Sequence, residues 1–317
     1  MERIITPTQI SIFAISELAA QLEELTIRNK FTDKIPPKSE LEKQLITDGK
    51  KHEENLIKSF KDQGYEVVNI GNYPEKERLK QTKNAMLNGA SYIYQASLKN
   101  KEIKGSADVL KRIDEPSKLG DWSYIPIECK LSSKSKTTFV IQSCAYCDLL
   151  ETYQGVKASY FELYLGGMNF EKFEIKKYWN WYSLLKKRYK KFIENFNEDI
   201  EIKLIPGNHG KWTEYVTEKL KKDRDLILVA GMTQSQRVKL IKNNIKTIDD
   251  FAGLKPKNKI FGSKKDTLRN LHNQAQVQVK SRSLDGKPNI EPRIWEKSHL
   301  KEGKTKNLLP FRNDGDV

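Results

Sequence analysis

The spacing of apolar residues changes several times along the chain, and each change predicts a different element. Near the start, Ile10, Phe13, Ile15 and Leu18 recur at helical intervals behind Thr6, a suitable N-cap, and Pro7, a suitable first helical residue. After a break at Pro36-Pro37, Ser39 and Glu42 make a capping-box pair. The helix they open carries Leu41, Leu45, His52, Leu56 and Phe60 on one face and stops near Gln63-Gly64. Alternation then replaces the helical period. Residues 65–70, 92–98, 103–113 and 124–131 read as strands between turns rich in Gly, Asn, Pro and Lys. Helical spacing returns over 138–153, with Gln142, Tyr146, Leu149 and Tyr153 on one stripe. Residues 159–165 form one more strand, closed by Gly166-Gly167. This order predicts a mixed α/β (α+β) sheet domain rather than a sandwich or a bundle.

Downstream, residues 176–196 predict a long amphipathic helix with Tyr178, Trp181, Tyr182, Leu185, Tyr189, Phe192 and Phe196 on its apolar face. Its first sixteen residues, 176–191, hold seven basic side chains and no acidic ones. Residues 226–254 read as a small helical unit, with cap-like segments at Thr233 to Gln236 and Thr247 to Asp250 and a turn at Asn243-Asn244. From Lys255 onward the chain is polar, with 15 Lys and Arg against 7 Asp and Glu, more than half of the net charge. Three regions result: 1–170, 171–254 and a basic linker over 255–317.

Composition narrows the partners. A hydrophobic share of 37% with 12 Phe, 13 Tyr and 5 Trp is enough for a core, which excludes a wholly disordered chain of 317 residues. Lys and Arg total 57 against 42 Asp and Glu, and the net charge of +15 favours a polyanion, either nucleic acid or an anionic membrane surface. The longest apolar runs, such as 226–230, are too short to span a bilayer. No basic stretch followed by an apolar run marks a secretory leader. Three cysteines, Cys129, Cys144 and Cys147, are too few and too sparse for a disulfide framework. A soluble, cytoplasmic, basic protein without a membrane partner is the expectation.

The sharpest chemical signal lies in residues 125–131, Ile-Pro-Ile-Glu-Cys-Lys-Leu. Side chains alternate along a strand, so Ile125, Ile127, Cys129 and Leu131 share one face, and Glu128 and Lys130 project together from the other. A carboxylate and an ammonium in a buried strand are costly unless paired or bound to a metal. The preceding strand sets Asp108 opposite the face of Ile103, Gly105, Ala107 and Val109. If the two strands pair, Asp108 and Glu128 converge with Lys130 beside them. Phosphodiester hydrolysis calls for such a set: two hard carboxylates for Mg²⁺ or Mn²⁺, and a lysine to orient the attacking water and neutralise charge.

Gly105-Ser106-Ala107-Asp108, Glu128-Cys129-Lys130 and Gln142-Ser143-Cys144-Ala145-Tyr146, in that order, resemble the RecB-like branch of the PD-(D/E)XK nuclease superfamily. The resemblance covers about the first 170 residues and implies a restriction-endonuclease-like core with a helical C-terminal extension. It implies metal binding by Asp108, Glu128 and, from the upstream Gly49-Lys50-Lys51-His52-Glu53 helix, His52. It makes Lys130 the catalytic lysine and gives Gln142 and Tyr146 positioning roles. The implied activity is Mg²⁺- or Mn²⁺-dependent hydrolysis of DNA, exonucleolytic, in repair or recombination. Residues 226–254 resemble the helix-hairpin-helix-like segment of these nucleases, which holds phosphates at helix N-termini. Residues 308–317 resemble the lead-in to an RNase H-like DEDD exonuclease domain, whose first catalytic strand would begin past Val317, as in a fragment or a truncated gene. That domain and a helicase are the implied protein partners. Relatives often carry an iron–sulfur cluster, but the corresponding positions here, Ser16 and 208–215, hold no cysteine, so no cluster is expected.

Each feature also has a plainer reading. Glu128 and Lys130 fit a structural ion pair, His52 a hydrogen-bonded core histidine, and Gln142 with Tyr146 a helix face packed on a sheet. His209 and His272 read as surface residues, and Cys144 with Cys147 as buried structural thiols. The aromatic stripe of 176–196 reads as core beneath a solvated basic face, with base stacking on Trp179 or Trp181 the lesser option. At the level of function, the rival is a catalytically inactive nucleic-acid-binding or scaffold module that keeps the nuclease fold. A type II-like restriction endonuclease would need a sequence-reading element that the chain does not display.

Overall fold

Six strands form one mixed sheet in chain order among the described residues: β1 (Val67–Asn69), β2 (Tyr92–Lys99), β3 (Lys104–Ile113), β4 (Ser123–Lys130), β5 (Tyr160–Leu165) and β6 (Phe170–Glu174). The computed structural model describes residues 3–28, 30, 40–199, 202–255 and 265–281. Pairs β2–β3, β3–β4 and β5–β6 are antiparallel, whereas β1–β2 and β4–β5 are parallel. A parallel neighbour needs a crossover. Here α4 (Glu75–Leu87) supplies the first and α5 (Thr137–Gln154) the second. The mixed α/β class expected from the spacing is therefore what the chain forms.

Helices cover the sheet on two sides, and adjacent residues divide between them. Ile93, Leu110 and Leu163 join the core under α1 (Pro7–Ile15), α5 and α6 (Trp179–Glu194). Their neighbours Tyr92, Val109 and Tyr164 pack instead with Leu56, Ile57 and Phe60 of α3 (Glu40–Asp62). β4 is buried from Ser123 to Cys129, which explains its nearly continuous apolar sequence. Contacts divide the chain into Met1–Glu218 and Lys219–Val317, and α6 belongs to the first of these units.

Several expectations change on contact with the fold. The first helix does not run through Leu18. Ser16 is extended (φ −151°, ψ 108°), ends α1 and caps α2 (Glu17–Ile27) through a hydrogen bond from the Ala19 N–H to its Oγ, leaving Ile15 exposed. In α3 only the C-terminal half packs, so Leu41 and Leu45 are exposed rather than on a buried face. Pro36-Pro37 and Ser39 lie outside the described residues. Several elements are absent from the sequence reading, α7 (Thr213–Lys222) among them. α4 buries only Thr82, Ala85 and Met86 and has no side-chain cap, so it carries a weak amphipathic signal. β6 is a half-exposed edge strand, in which no residue is buried. Trp181 is 43% exposed, not part of the apolar face of α6. Among the described residues no helix is long and apolar enough to cross a membrane.

The second unit has its own core of Leu226, Leu240, Ile248 and Phe251. Capping boxes at Thr233 and Thr247 open α8 (Gln234–Lys242) and α9 (Ile248–Ala252), as their sequences suggest. Asn244 supplies the positive φ of 64° that the turn between them needs. The segment read as linker contains α10 (Lys265–Lys280), whose Leu268, Leu271 and Ala275 join this core. His272 is buried there and not on the surface, with its ring edge-on to Phe251. Residues 308–317 lie outside the described residues.

One glycine ties the fold to the chemistry. A Cβ on Gly166 would stand 2.0 Å from the Leu131 carbonyl oxygen, beside the end of β4. Backbone cannot yield as a side chain tip can. Gly166→Ala is expected to destabilise the protein by about 3 kcal/mol or more in urea titrations. An unchanged midpoint would contradict that close approach.

Candidate active site

The β2–β3 ladder pairs Tyr94 with Val109 and then Ala96 with Ala107, passing over Gln95 and Asp108. The β3–β4 ladder ends at Val109 and Ile127, one step before Asp108 and Glu128 would face each other. Gln95, Asp108 and Glu128 thus form a row across three strands where backbone pairing gives way. Gln95 adopts φ 57°, a left-handed conformation unfavourable for a non-glycine residue. Asp108 turns a carboxylate oxygen to the Cys129 N–H (2.8 Å), replacing part of the lost ladder. Convergence of Asp108 and Glu128 follows directly from this register.

Lys130 Nζ lies 2.5 Å from Glu128 Oε1 and 5.5 Å from the centre of the Phe139 ring. The other oxygen, Glu128 Oε2, is buried without a hydrogen-bond partner. A third acid arrives from α3. Glu53 accepts hydrogen bonds at Oε2 from Gln95 Nε2 (2.8 Å) and the Tyr94 hydroxyl (3.2 Å). It lines a cleft of about 730 Å³ with Asp108, Cys129 and Lys130, and Lys50 and Arg78 add positive charge to the walls.

Burial and mutual repulsion set the charge states. Burial first, then the Asp108 carboxylate, push Glu128 up to about 8 against the opposing pull of Lys130. Glu53 is raised to about 7 by burial and then by Asp108, against Tyr94, Lys130 and Gln95. Burial also lifts Asp108, opposed by Lys130 and the Cys129 N–H. For Lys130, burial disfavours the ammonium, but Glu128 and Asp108 outweigh it and the net shift is upward. Lys130 is therefore a cation at neutral pH, suited to orienting groups and stabilising negative charge rather than to accepting a proton. Asp108→Asn should lower the Glu53 pKa from about 7 toward the ordinary carboxyl range, read by carboxyl carbon chemical shifts. An unmoved Glu53 would mean that the two carboxyls do not share a field.

The remaining predicted residues are dispersed. His52 stacks on Tyr164 with ring centres 4.5 Å apart, its Nε2 buried without a hydrogen-bond partner, while the adjacent Glu53 lines the cleft. Tyr146 donates its hydroxyl to the Ser106 carbonyl (2.7 Å) and so holds β3 two residues before Asp108. Among the described residues, the Gln142 side chain reaches Thr8 on α1, at 3.4 Å. Cys144 and Cys147 are buried free thiols, and burial followed by Asp148 pushes Cys144 up to about 12. His209, expected at the surface, is buried: Nδ1 meets Ser16 Oγ at 2.7 Å and Nε2 meets the Ile205 carbonyl at 2.8 Å.

Glu53, Tyr94 and Gln95 are the contributors that the sequence reading missed. A signal for Glu53 existed, because Gly49, Glu53, Leu56 and Phe60 share a helical face. No three His, Cys, Asp or Glu side chains among the described residues stand in metal-ligating geometry. Lys130 occupies one oxygen of Glu128 and the Cys129 N–H one of Asp108. The donor set nevertheless fits a hard dication: Glu128 Oε2 is an orphaned oxygen beside two further acids whose charge a cation would relieve. No protein-family model matches the chain, and no curated protein matches it.

Proposed function

We propose that the protein is a nuclease of the RecB-like PD-(D/E)XK type that hydrolyses phosphodiester bonds in DNA with Mg²⁺ or Mn²⁺. The observation that carries this reading is the row at the ladder break: Asp108 and Glu128 on adjoining strands, with the Lys130 ammonium against Glu128. Asp108 and Glu128 would hold the ion, and Mg²⁺ tolerates a small protein ligand set because it keeps several waters. When bound, a divalent cation supplies charge neutralisation and a more acidic water. The rest falls to the chain. Lys130 donates to a phosphoryl oxygen and stabilises charge that develops there. Glu53, with a pKa of about 7, is suited to accept a proton from an attacking water at neutral pH. Lys50 and Arg78 attract the phosphate backbone to the cleft.

An end-labelled DNA strand incubated with the full chain and Mg²⁺ or Mn²⁺ tests this directly. Shortening with either ion, its loss in EDTA and a large deficit in Lys130→Ala are expected. No cleavage with either ion, or activity indifferent to Lys130→Ala, would refute it. The alternative, a catalytically inactive nucleic-acid-binding module on the same scaffold, draws on one observation: Lys130 is already paired with Glu128 Oε1 at 2.5 Å. It predicts salt-dependent DNA binding that survives Glu128→Ala, with no cleavage.

A further inference from the structure

The exposed stripe of α6 is unlike an ordinary solvated face. Trp181 and Leu184 are 43% and 58% exposed, and Arg188, Lys191 and the following Asn195 lie on the same side at helical spacing. Among the described residues no carboxylate pairs with Lys187, Arg188 or Lys191. The stripe leads into a cleft of about 540 Å³ where the end of α6 meets α1 and α2. Phe192 and Phe196 supply ring surface there, Gln21 and Asn195 supply amides, and Arg188 and Lys191 supply charge. Asn195 gives one amide N–H to the Lys191 carbonyl, which leaves its Oδ1 as an acceptor. Glu17 adds a carboxylate one helical turn before Gln21, placed to accept from exocyclic amines.

From this arrangement we propose that the cleft at the end of α6 receives an unstacked nucleobase of a single-stranded nucleic acid, with the α6 stripe tracking its backbone. Aromatic faces interleaved with cations are what single strands require, since every base has a π-face and every linkage a charge. Trp181 lies about 16 Å along the helix from Phe192, so the stripe can span more than one nucleotide. A membrane surface fits less well. The opposite face of α6 is locked in the core through Tyr182, Leu185, Tyr189 and Ile193, and two exposed apolar side chains offer little to insert. The inference rests on the nuclease reading only for the class of polymer, because the cleft uses none of the catalytic carboxyls.

Fluorescence anisotropy with a labelled 20-mer and the full-length chain in EDTA tests it without hydrolysis, so absence of nuclease activity leaves the result intact. Single strands should bind tighter than the matching duplex. Arg188→Glu with Lys191→Glu should reduce the slope of log affinity against log salt by about 1.4, whereas Lys76→Glu with Lys83→Glu on α4 should not. Phe196→Leu keeps bulk but removes the ring, and should weaken single-strand binding about tenfold. Four outcomes would each overturn the proposal: equal affinity for duplex, equal effects of the two charge reversals, wild-type binding by Phe196→Leu, or binding to phosphatidylserine vesicles in place of the oligonucleotide.

Discussion

Glu128→Gln is expected to abolish hydrolysis while making the metal-free protein more stable at pH 8 to 9. The two effects have one cause. Wild-type Glu128 is raised to about 8 by burial and Asp108, so the folded protein binds a proton that the unfolded chain, at an ordinary carboxyl pKa, has released. Stability therefore falls as pH rises from about 4.5 to 8, by up to about 1.4 kcal/mol per pH unit for this group. Glutamine keeps the shape and removes that slope. It also removes an oxygen from the proposed cation site, for which a loss of about 10²-fold to 10³-fold in kcat/KM is a reasonable minimum. Saturating Mn²⁺ should raise the melting temperature of the wild type and leave that of the variant nearly unchanged. A variant both inactive and less stable at pH 9 would point to a structural role for the carboxylate.

Lys130→Met should move stability the other way. It removes the ammonium 2.5 Å from Glu128 and the main charge opposing burial at Asp108. Breaking one side of a buried pair costs about 3–5 kcal/mol when the remaining charge must stay ionised. The cost shrinks where the acids can take protons, so the loss should be small at pH 6 and large at pH 9 in parallel urea titrations. Activity should fall by about 10²-fold or more at every pH, because the ammonium acts on the substrate and not only on its neighbours. Equal destabilisation at both pH values would mean that Lys130 matters for packing alone.

What the sequence disclosed about this site follows from periodicity. Alternation in 125–131 puts Glu128 and Lys130 on one side of a strand, and antiparallel pairing brings Asp108 alongside, so the core of the site is a consequence of the two-residue repeat. Three features lay beyond that reach. The left-handed turn of the chain at Gln95 has no glycine or asparagine to announce it. The choice between His52 and Glu53 depends on how α3 rotates against the sheet, and adjacent residues on a helix differ by about 100°. Burial of His209 and His272 depends on long-range partners, Ser16 in one case and Phe251 in the other, that no local pattern encodes.

Element type was legible where caps and periodicity agreed, as at Thr6, Thr233 and Thr247, each of which opens its helix with a reciprocal side-chain bond. It was lost where tertiary contacts decide. α4 has a weakly apolar face and β6 is a half-exposed edge, so neither carries a strong repeat. Trp181 shows the same limit from the other side. Its spacing places it near the apolar face of α6, but the core closes over Tyr182 and Leu185 and leaves it in solvent.

In the proposed nuclease, Asp108 and Glu128 share one divalent ion. Titration calorimetry of Mn²⁺ into the metal-free chain at pH 7, in two buffers of different ionisation enthalpy, measures binding and proton release together. The prediction is one ion bound with net proton release, since Glu128 at about 8 must give up its proton to ligate. Binding should disappear in Glu128→Gln. No heat of binding in the wild type, or an unchanged isotherm in the variant, would contradict the claim.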